Sequence, residues 1–257
     1  MKEFNIGIIG LGNIGLEVYK NIRKNASDIK KKTGFKLNII KASARNIKKK
    51  RGVNFSKGVL EKNPLKIINN PKIVAVSKTF KIDKILPLID HGHIHYGENK
   101  VQELVEKWTE LKKNNAKIRL HMIGKLQTNK VKLAVQIFDY IHSVDSEKLA
   151  KKIADEQSKI NKKIKIFLQV NIGDEDQKSG INKRDLNKLV SYCQDLDLDL
   201  MGLMCIPPIS SDPEIHFNEM KQLNYSMGFK ELSMGMSSDY IKAVKNLSTY
   251  IRIGSNI

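Results

Sequence analysis

Two cysteines, one tryptophan and 6% aromatic residues are all that this 257-residue chain has of these types. Cys193 and Cys205 form neither a CxxC pair nor a metal-ligand spacing, which speaks against a redox motif or thiolate site and points to a reducing, cytoplasmic compartment. No stretch approaches the roughly 18 consecutive apolar residues of a membrane span. The apolar segment at 4–16 is broken by Gly10, Gly12, Asn13 and Gly15, and no small-residue cleavage site follows, so a signal peptide is not expected. Arginines and aromatics are too few to grip and stack nucleic-acid bases.

Acidic residues are also scarce: 27 Asp and Glu face 46 Lys and Arg, a net charge of +19. Residues 1–70 hold 17 of the basic and 4 of the acidic side chains, so two thirds of the excess lies in the first quarter. Lys30-Lys31-Lys32 and Lys48-Lys49-Lys50-Arg51 could hold phosphates by releasing counterions. With so little for bases to stack on, they read as a solvated basic face, and nucleic acid is not the expected partner. Apolar residues make up 40% of the chain, enough for one large or two modest domains.

The informative stretch is Ile73-Val74-Ala75-Val76-Ser77-Lys78-Thr79. Its apolar run reads as a strand buried on both faces, and the polar break places Lys78 at the strand's carboxyl end. Sites are built on that rim in parallel α/β folds, and a partly desolvated amine there can attack a carbonyl. A lysine that merely snorkels to solvent is the plain alternative.

From residue 71 onward strand-like and helix-like stretches alternate. Strands are expected at 72–77, 93–96, 119–123, 140–143, 164–170, 200–205, 231–233 and 250–253, with helices at 82–89, 98–113, 127–137, 146–160, 183–195, 213–227 and 238–247. Eight such alternations are the pattern of a (β/α)8 TIM-type barrel, here occupying 71–257. Barrels commonly bind phosphate with the loops after strands seven and eight. Those loops, 232–237 and 251–256, carry Ser233, Gly235, Gly254 and Ser255, and Arg252 adds a fixed cation. Lys78 on strand one would stand beside them in a closed barrel. One cofactor satisfies both features: pyridoxal 5′-phosphate has an aldehyde for the lysine and a phosphate for the loops.

The motifs AVSKTF, HYGENKVQE, HMIGKLQTNK, IHSVD, QVNIGDEDQKSG, GLMCIPP, ELSMGMSSD and IRIGSNI occur in this order. Through them residues 71–257 resemble the YggS-type pyridoxal phosphate homeostasis proteins, relatives of the alanine racemase barrel domain. The resemblance implies that Lys78 holds the cofactor as an imine, that Asn99 lies near it, that Ser233, Gly254 and Ser255 contact the phosphate, and that Arg252 faces the pyridine nitrogen. An arginine there disfavours a protonated ring and weakens carbanion stabilisation. Racemases of this kind add a tyrosine base from another domain, which this chain lacks after the barrel. The implied function is intracellular pyridoxal phosphate homeostasis with little or no turnover, by a monomer that could pass the cofactor to apo-enzymes. A racemase using the same lysine is the alternative.

Residues 1–70 read differently. A strand at 5–9 runs into Gly10-Leu11-Gly12-Asn13-Ile14-Gly15, a helix follows at 13–32, and a second strand spans 37–42. This is a partial Rossmann-like βαβ segment with GxGxxG in its first turn, where backbone can approach a pyrophosphate. Arg45 stands where an acidic residue would hold an adenosine ribose, so Gly10, Gly12, Gly15 and Arg45 would suit NADP over NAD. The segment resembles the amino-terminal end of homoserine dehydrogenase in GLGNIG, KKTGFKL, SAR and KKRGVNFSK; an NADP-linked oxidoreductase fragment is the further alternative.

Several polar residues carry weaker signals. His121 and His142 lie near strand ends and suit proton transfer, although a hydrogen-bonded structural role is the plainer expectation. Glu98, Asn99 and Gln102 are expected to open a helix, with Glu98 favoured by its dipole. Asp174-Glu175-Asp176 lacks the spacing of a calcium loop. Met201, Met204, Met220, Met227, Met234 and Met236 are expected to fill the barrel.

Overall fold

The computed structural model describes residues 2–56, 58–62, 71–78, 80–102, 104–175 and 177–255. Lys57, Thr79, Glu103, Asp176, Asn256 and Ile257, which belong to the motifs above, lie outside the described residues. The chain divides into two compact units, Met1–Asn70 and Pro71–Ile257.

The first unit contains β1 (Lys2–Ile8), α1 (Asn13–Lys24), α2 (Ala26–Thr33), β2 (Phe35–Ser43) and β3 (Leu60–Glu61). Its sheet is parallel, in the order β1-β2-β3. The single helix expected at 13–32 is two helices, because Asn25 leaves helical geometry (ψ 17°) while its N–H still closes α1 on the Asn21 carbonyl. Asparagine competes with the helix for its own backbone groups, and the chain restarts one residue later. Ile8, Leu11, Tyr19, Ala42 and Ala44 form the buried core of this unit. The last glycine of GxGxxG is required by packing, since a Cβ on Gly15 would lie 2.1 Å from the Gly10 carbonyl oxygen. Ser43 Oγ accepts the Gly10 N–H at 2.9 Å, and Arg45 is exposed.

The second unit is a closed barrel of eight parallel strands. In chain order these are β4 (Lys72–Val76), β5 (His95–Glu98), β6 (Arg119–Met122), β7 (Tyr140–Val144), β8 (Lys165–Gln169), β9 (Asp199–Met204), β10 (Glu231–Met236) and β11 (Tyr250–Ile253). The barrel closes through β11 pairing with β4. Lys72–Val76 could have served as a third strand for the first sheet, but it pairs with β11 and β5; β3 takes that place beside β2. The intervening helices are α3 (Ile82–Asp90), α4 (Leu104–Asn114), α5 (Val131–Ile137), α6 (Glu147–Lys159), α7 (Leu186–Asp195), α8 (Pro213–Ser226) and α9 (Tyr240–Lys245). Capping explains several of their starts: Ser146 accepts from the Leu149 N–H, and Asp212 from the Glu214 N–H ahead of Pro213.

Two boundaries depart from expectation in ways that matter for the site. Glu98 does not open a helix. It is the last residue of β5, is 2% exposed, and α4 begins only at Leu104. Strand β10 runs three residues past Ser233, because Gly235 adopts φ +94° and a register shift between Ser233 and Met236 keeps the strand paired with β11. A glycine expected in a loop is here a bulge inside the strand.

The main core lies between barrel and helices, with Trp108, Phe138 and Phe217 fully buried in it. A separate cluster inside the barrel joins Val74, Tyr140, Phe167, Met204 and Tyr250. Met204, Met220 and Met234 are buried, as fillers should be, whereas Met236 lines a cavity described below. No helix among the described residues is long and apolar enough to cross a membrane. Phe138→Ala is expected to destabilise the barrel by about 3–5 kcal/mol. Urea unfolding followed by the fluorescence of Trp108, the only tryptophan, measures this in the second unit alone.

Candidate functional site

Side chains alternate along a strand, so residues 72, 74, 76 and 78 share one face of β4 and its extension, as do 250, 252 and 254 on β11. Low on that face Val74 and Tyr250 fill the barrel; higher up Val76, Lys78, Arg252 and Gly254 line a cavity of about 540 Å³ at the carboxyl-terminal mouth. Asn99, Ser237, Ser238 and Ser255 complete its polar lining, and Phe80, Ile123, Ile206 and Met236 its apolar walls. Of the residues singled out from the sequence, Lys78, Asn99, Arg252, Gly254 and Ser255 therefore meet in one place.

Ser233 does not line this cavity. It is fully buried, two residues before the Gly235 bulge, and its Oγ accepts from Arg252 Nη1 at 2.7 Å. The hydroxyl at the rim is instead that of Ser237, which the motif MSSD contains but which the shorter expected strand left unassigned. The N–H groups of Gly254 and Ser255 both donate to Ser237 Oγ, at 3.1 and 3.3 Å. Two backbone donors converging on one point form a cradle for an anion's oxygens. The helix that follows β10, α9, has six residues and begins at Tyr240, and the donors come from the loop amides.

Lys78 sits two residues beyond the end of β4 and is exposed, not partly desolvated as the sequence suggested. Its position is held from below. Glu98 Oε1 accepts from Ser77 Oγ at 2.8 Å, Trp108 Nε1 at 2.9 Å and Lys107 Nζ at 3.1 Å, and Lys107 also donates to the Ser77 carbonyl at 2.8 Å. Leaving any of these buried groups unpaired is costly, so the residue preceding Lys78 is fixed in place.

Arg252 is 4% exposed, and burial works against its charge. Acceptors stand in for the lost water: Ser233 Oγ on one terminal nitrogen and the Cys205 carbonyl on the other, at 2.9 Å. Behind Ser233 lie His142, His121 and His95, with ring nitrogens paired at 2.9 Å in each step. His121 stacks on Tyr140 and His142 on Phe167, at 4.1 and 4.4 Å between ring centres. His121 and His142 are fully buried and lie inside the barrel wall, not at its rim. Burial holds both well below the ordinary histidine value, reinforced at His121 chiefly by His142 and His95 and at His142 by Arg252 and His95. His95 is lowered to about 4, chiefly by burial and then by Lys72. Asp174 and Glu175 pair with Lys183 and Lys178, as in a solvated loop.

The residues fit a phosphorylated carbonyl compound. The cavity volume lies in the range of small-molecule sites, the two-amide cradle suits a phosphate, and a primary amine stands on the same wall. Fold and site together define a (β/α)8 barrel built to take a small anionic ligand at its carboxyl-terminal mouth.

The comparisons with known proteins narrow this. The family model for the alanine racemase N-terminal domain matches residues 64–257, and the chain belongs to the family of the pyridoxal phosphate homeostasis proteins. The member from Pasteurella multocida is 36% identical over 197 residues, covering 72% of this chain and 84% of that protein. The Escherichia coli K12 protein is 35% identical over 195 residues, covering 72% and 83%. Among solved structures, PipY of Synechococcus elongatus with PLP bound superposes with a TM-score of 0.67 at 32% identity, over 72% of this chain and 91% of that one.

The histidines make the barrel sensitive to acid. In the unfolded chain they take up protons near the ordinary value of about 6.5, whereas in the fold their lowered values keep them neutral. Below that pH the unfolded state binds more protons, so stability falls as pH drops. Each ring that stays neutral contributes about 1.4 kcal/mol of loss per pH unit. Urea midpoints are expected to fall steeply between pH 6.5 and 4, the range bounded by the free histidine value and that of His95. A flat profile over this range contradicts neutral buried histidines.

Proposed function

We propose that this chain is a pyridoxal 5′-phosphate-binding protein of cofactor homeostasis, which holds the cofactor covalently through Lys78 with little or no turnover. The observation that carries the reading is the meeting of Lys78 with the Gly254–Ser255–Ser237 cradle and Arg252 around one cavity. When bound, the cofactor would supply an aldehyde able to form an imine with a lysine amine, with loss of water. Lys78 would be the amine, the loop amides and Ser237 would hold the phosphate, and Arg252 would donate toward the ring nitrogen. Asn99, Phe80, Ile123 and Ile206 line the same cavity, where Asn99 would lie near the ring and the apolar side chains would shield it. Ser233, expected at the phosphate, would act through its bond to Arg252.

Low turnover follows from the lining. Among the described residues around the cavity Lys78 is the only candidate acid or base, because a guanidinium does not give up its proton. Racemisation needs a proton donor and an acceptor on opposite faces of the substrate, and one lysine cannot be both at once. The chain would then store the cofactor and release it to apo-enzymes, acting as a monomer in the cytoplasm, a setting that suits two buried free thiols.

Purified protein loaded with pyridoxal phosphate is expected to absorb in the visible, and Lys78→Ala to abolish that absorbance. Borohydride reduction followed by peptide mapping should place the label on Lys78. Ser237→Ala is expected to weaken binding roughly tenfold. Label on another lysine, or rapid alanine racemisation by the loaded protein, contradicts the proposal.

A further inference from the structure

The cavity chemistry makes no direct use of His95, His121 and His142. They nevertheless form, with Ser233, an unbroken hydrogen-bonded file from the amino-terminal mouth of the barrel to the cavity floor. His95 is the first residue of β5, His121 lies in β6, His142 in β7, Ser233 in β10 and Arg252 in β11. Four contacts join them, three at 2.9 Å and the last at 2.7 Å.

The direction of the file follows from its end. Arginine carries donors only, so Arg252 Nη1 must donate and Ser233 Oγ must accept. Among the described residues the Ser233 hydroxyl proton has one acceptor to turn to, His142 Nδ1. That ring nitrogen is then unprotonated, and the proton of His142 lies on Nε2, facing His121 Nδ1. The same step repeats, and His121 Nε2–H donates to His95 Nδ1. The opposite polarity would leave the serine proton buried without a partner, which the interior of a barrel penalises.

We propose that Ser233, His142, His121 and His95 are positioning residues, a one-way column of neutral Nε2–H imidazoles that holds the Arg252 guanidinium still on the cavity floor. The column takes one N–H from one terminal nitrogen and the Cys205 carbonyl takes one from the other, leaving the remaining donors for the cavity. Its neutrality matters as much as its geometry. A charged His142 would turn an N–H toward Ser233, strip the hydroxyl of its acceptor and set a second cation behind Arg252. Protonation enters most readily at His95, the half-buried end, where Lys72, His93 and Arg119 oppose it and Asp139 favours it; the rings of Tyr140 and Tyr250 close the other sides. At His142 the opposing charges are Arg252 and any on His95, and at His121 they are the two other column histidines, Lys72 and His93.

The role at the cavity rests on the cofactor reading above, whereas the column itself is tested without any ligand. Nitrogen NMR of the apo chain labelled in histidine should show three rings, including His142, protonated at Nε2 alone and unchanged from pH 8 to 5. A ring protonated at Nδ1, or charged in that range, overturns the proposal. The Arg252 Nη resonances should be resolved in the native chain and collapse by rotational averaging in Ser233→Ala, a nearly isosteric change, while Ser233→Thr restores them. Unchanged Arg252 resonances in Ser233→Ala also overturn it. With pyridoxal phosphate added, Ser233→Ala is expected to bind roughly tenfold more weakly and to shift the pH dependence of the visible absorbance, again rescued by threonine. If the native chain fails to bind pyridoxal phosphate while the nitrogen spectra are as described, the proposed function falls and the column stands. If the native chain binds and Ser233→Ala binds equally with an unaltered pH profile, the positioning role falls.

Discussion

A cation buried inside a closed barrel has to find its acceptors among the barrel's own strands, and much of this molecule's interior is arranged around that need. Arg252 on β11 is 4% exposed and has lost most of its water, so one side chain from β10 and one carbonyl past β9 meet it. Ser233 can accept from it only by passing its own proton on, and the histidines of β7, β6 and β5 continue that obligation to the far mouth. Aromatic rings stack along the file and exclude water from it. Part of a barrel interior that apolar residues would ordinarily fill is thus given to a polar line whose members are joined by hydrogen bonds.

The cavity above inherits its geometry from this floor and from closure. Because β11 pairs with β4, the wall bearing Arg252 and Gly254 adjoins the wall bearing Val76 and Lys78. The two-residue alternation then lifts Lys78 to the rim just as it lowers Val74 into the core. Glu98, buried at the end of β5 with Ser77, Lys107 and Trp108, ties the rim to the helical layer. The lysine can therefore be exposed and yet well placed: its backbone is pinned by a buried network while its amine reaches into an open mouth.

Much of this was legible in the residues. Alternating strand and helix patterns located all eight barrel strands within a few residues, and the apolar run ending at Lys78 marked the rim from which the cavity opens. Boundaries that depended on one glycine or one carboxylate were not legible. Gly235 looks the same in a turn and in a bulge; only pairing with β11 shows that the strand continues to Met236 and that Ser237, not Ser233, reaches the cavity. Glu98 looks like a helix opener until Ser77, Lys107 and Trp108 are seen to converge on it. Asn25, by contrast, was a readable break that the periodicity of the flanking residues obscured.

By itself the order of residues determined what short-range physics can determine: period-two and helical patterning, hence a parallel barrel, the presence of a lysine and small-residue loops at strand ends, and a separate glycine-loop segment before it. Which hydroxyl lies against which cation, and the joining of His95, His121, His142 and Ser233 into one file, were decided only when eight strands distant in sequence were wrapped into a ring. The reason is that hydrogen bonds across a barrel depend on register and on which face each residue presents. Those are properties of strand pairs, and no single strand contains them.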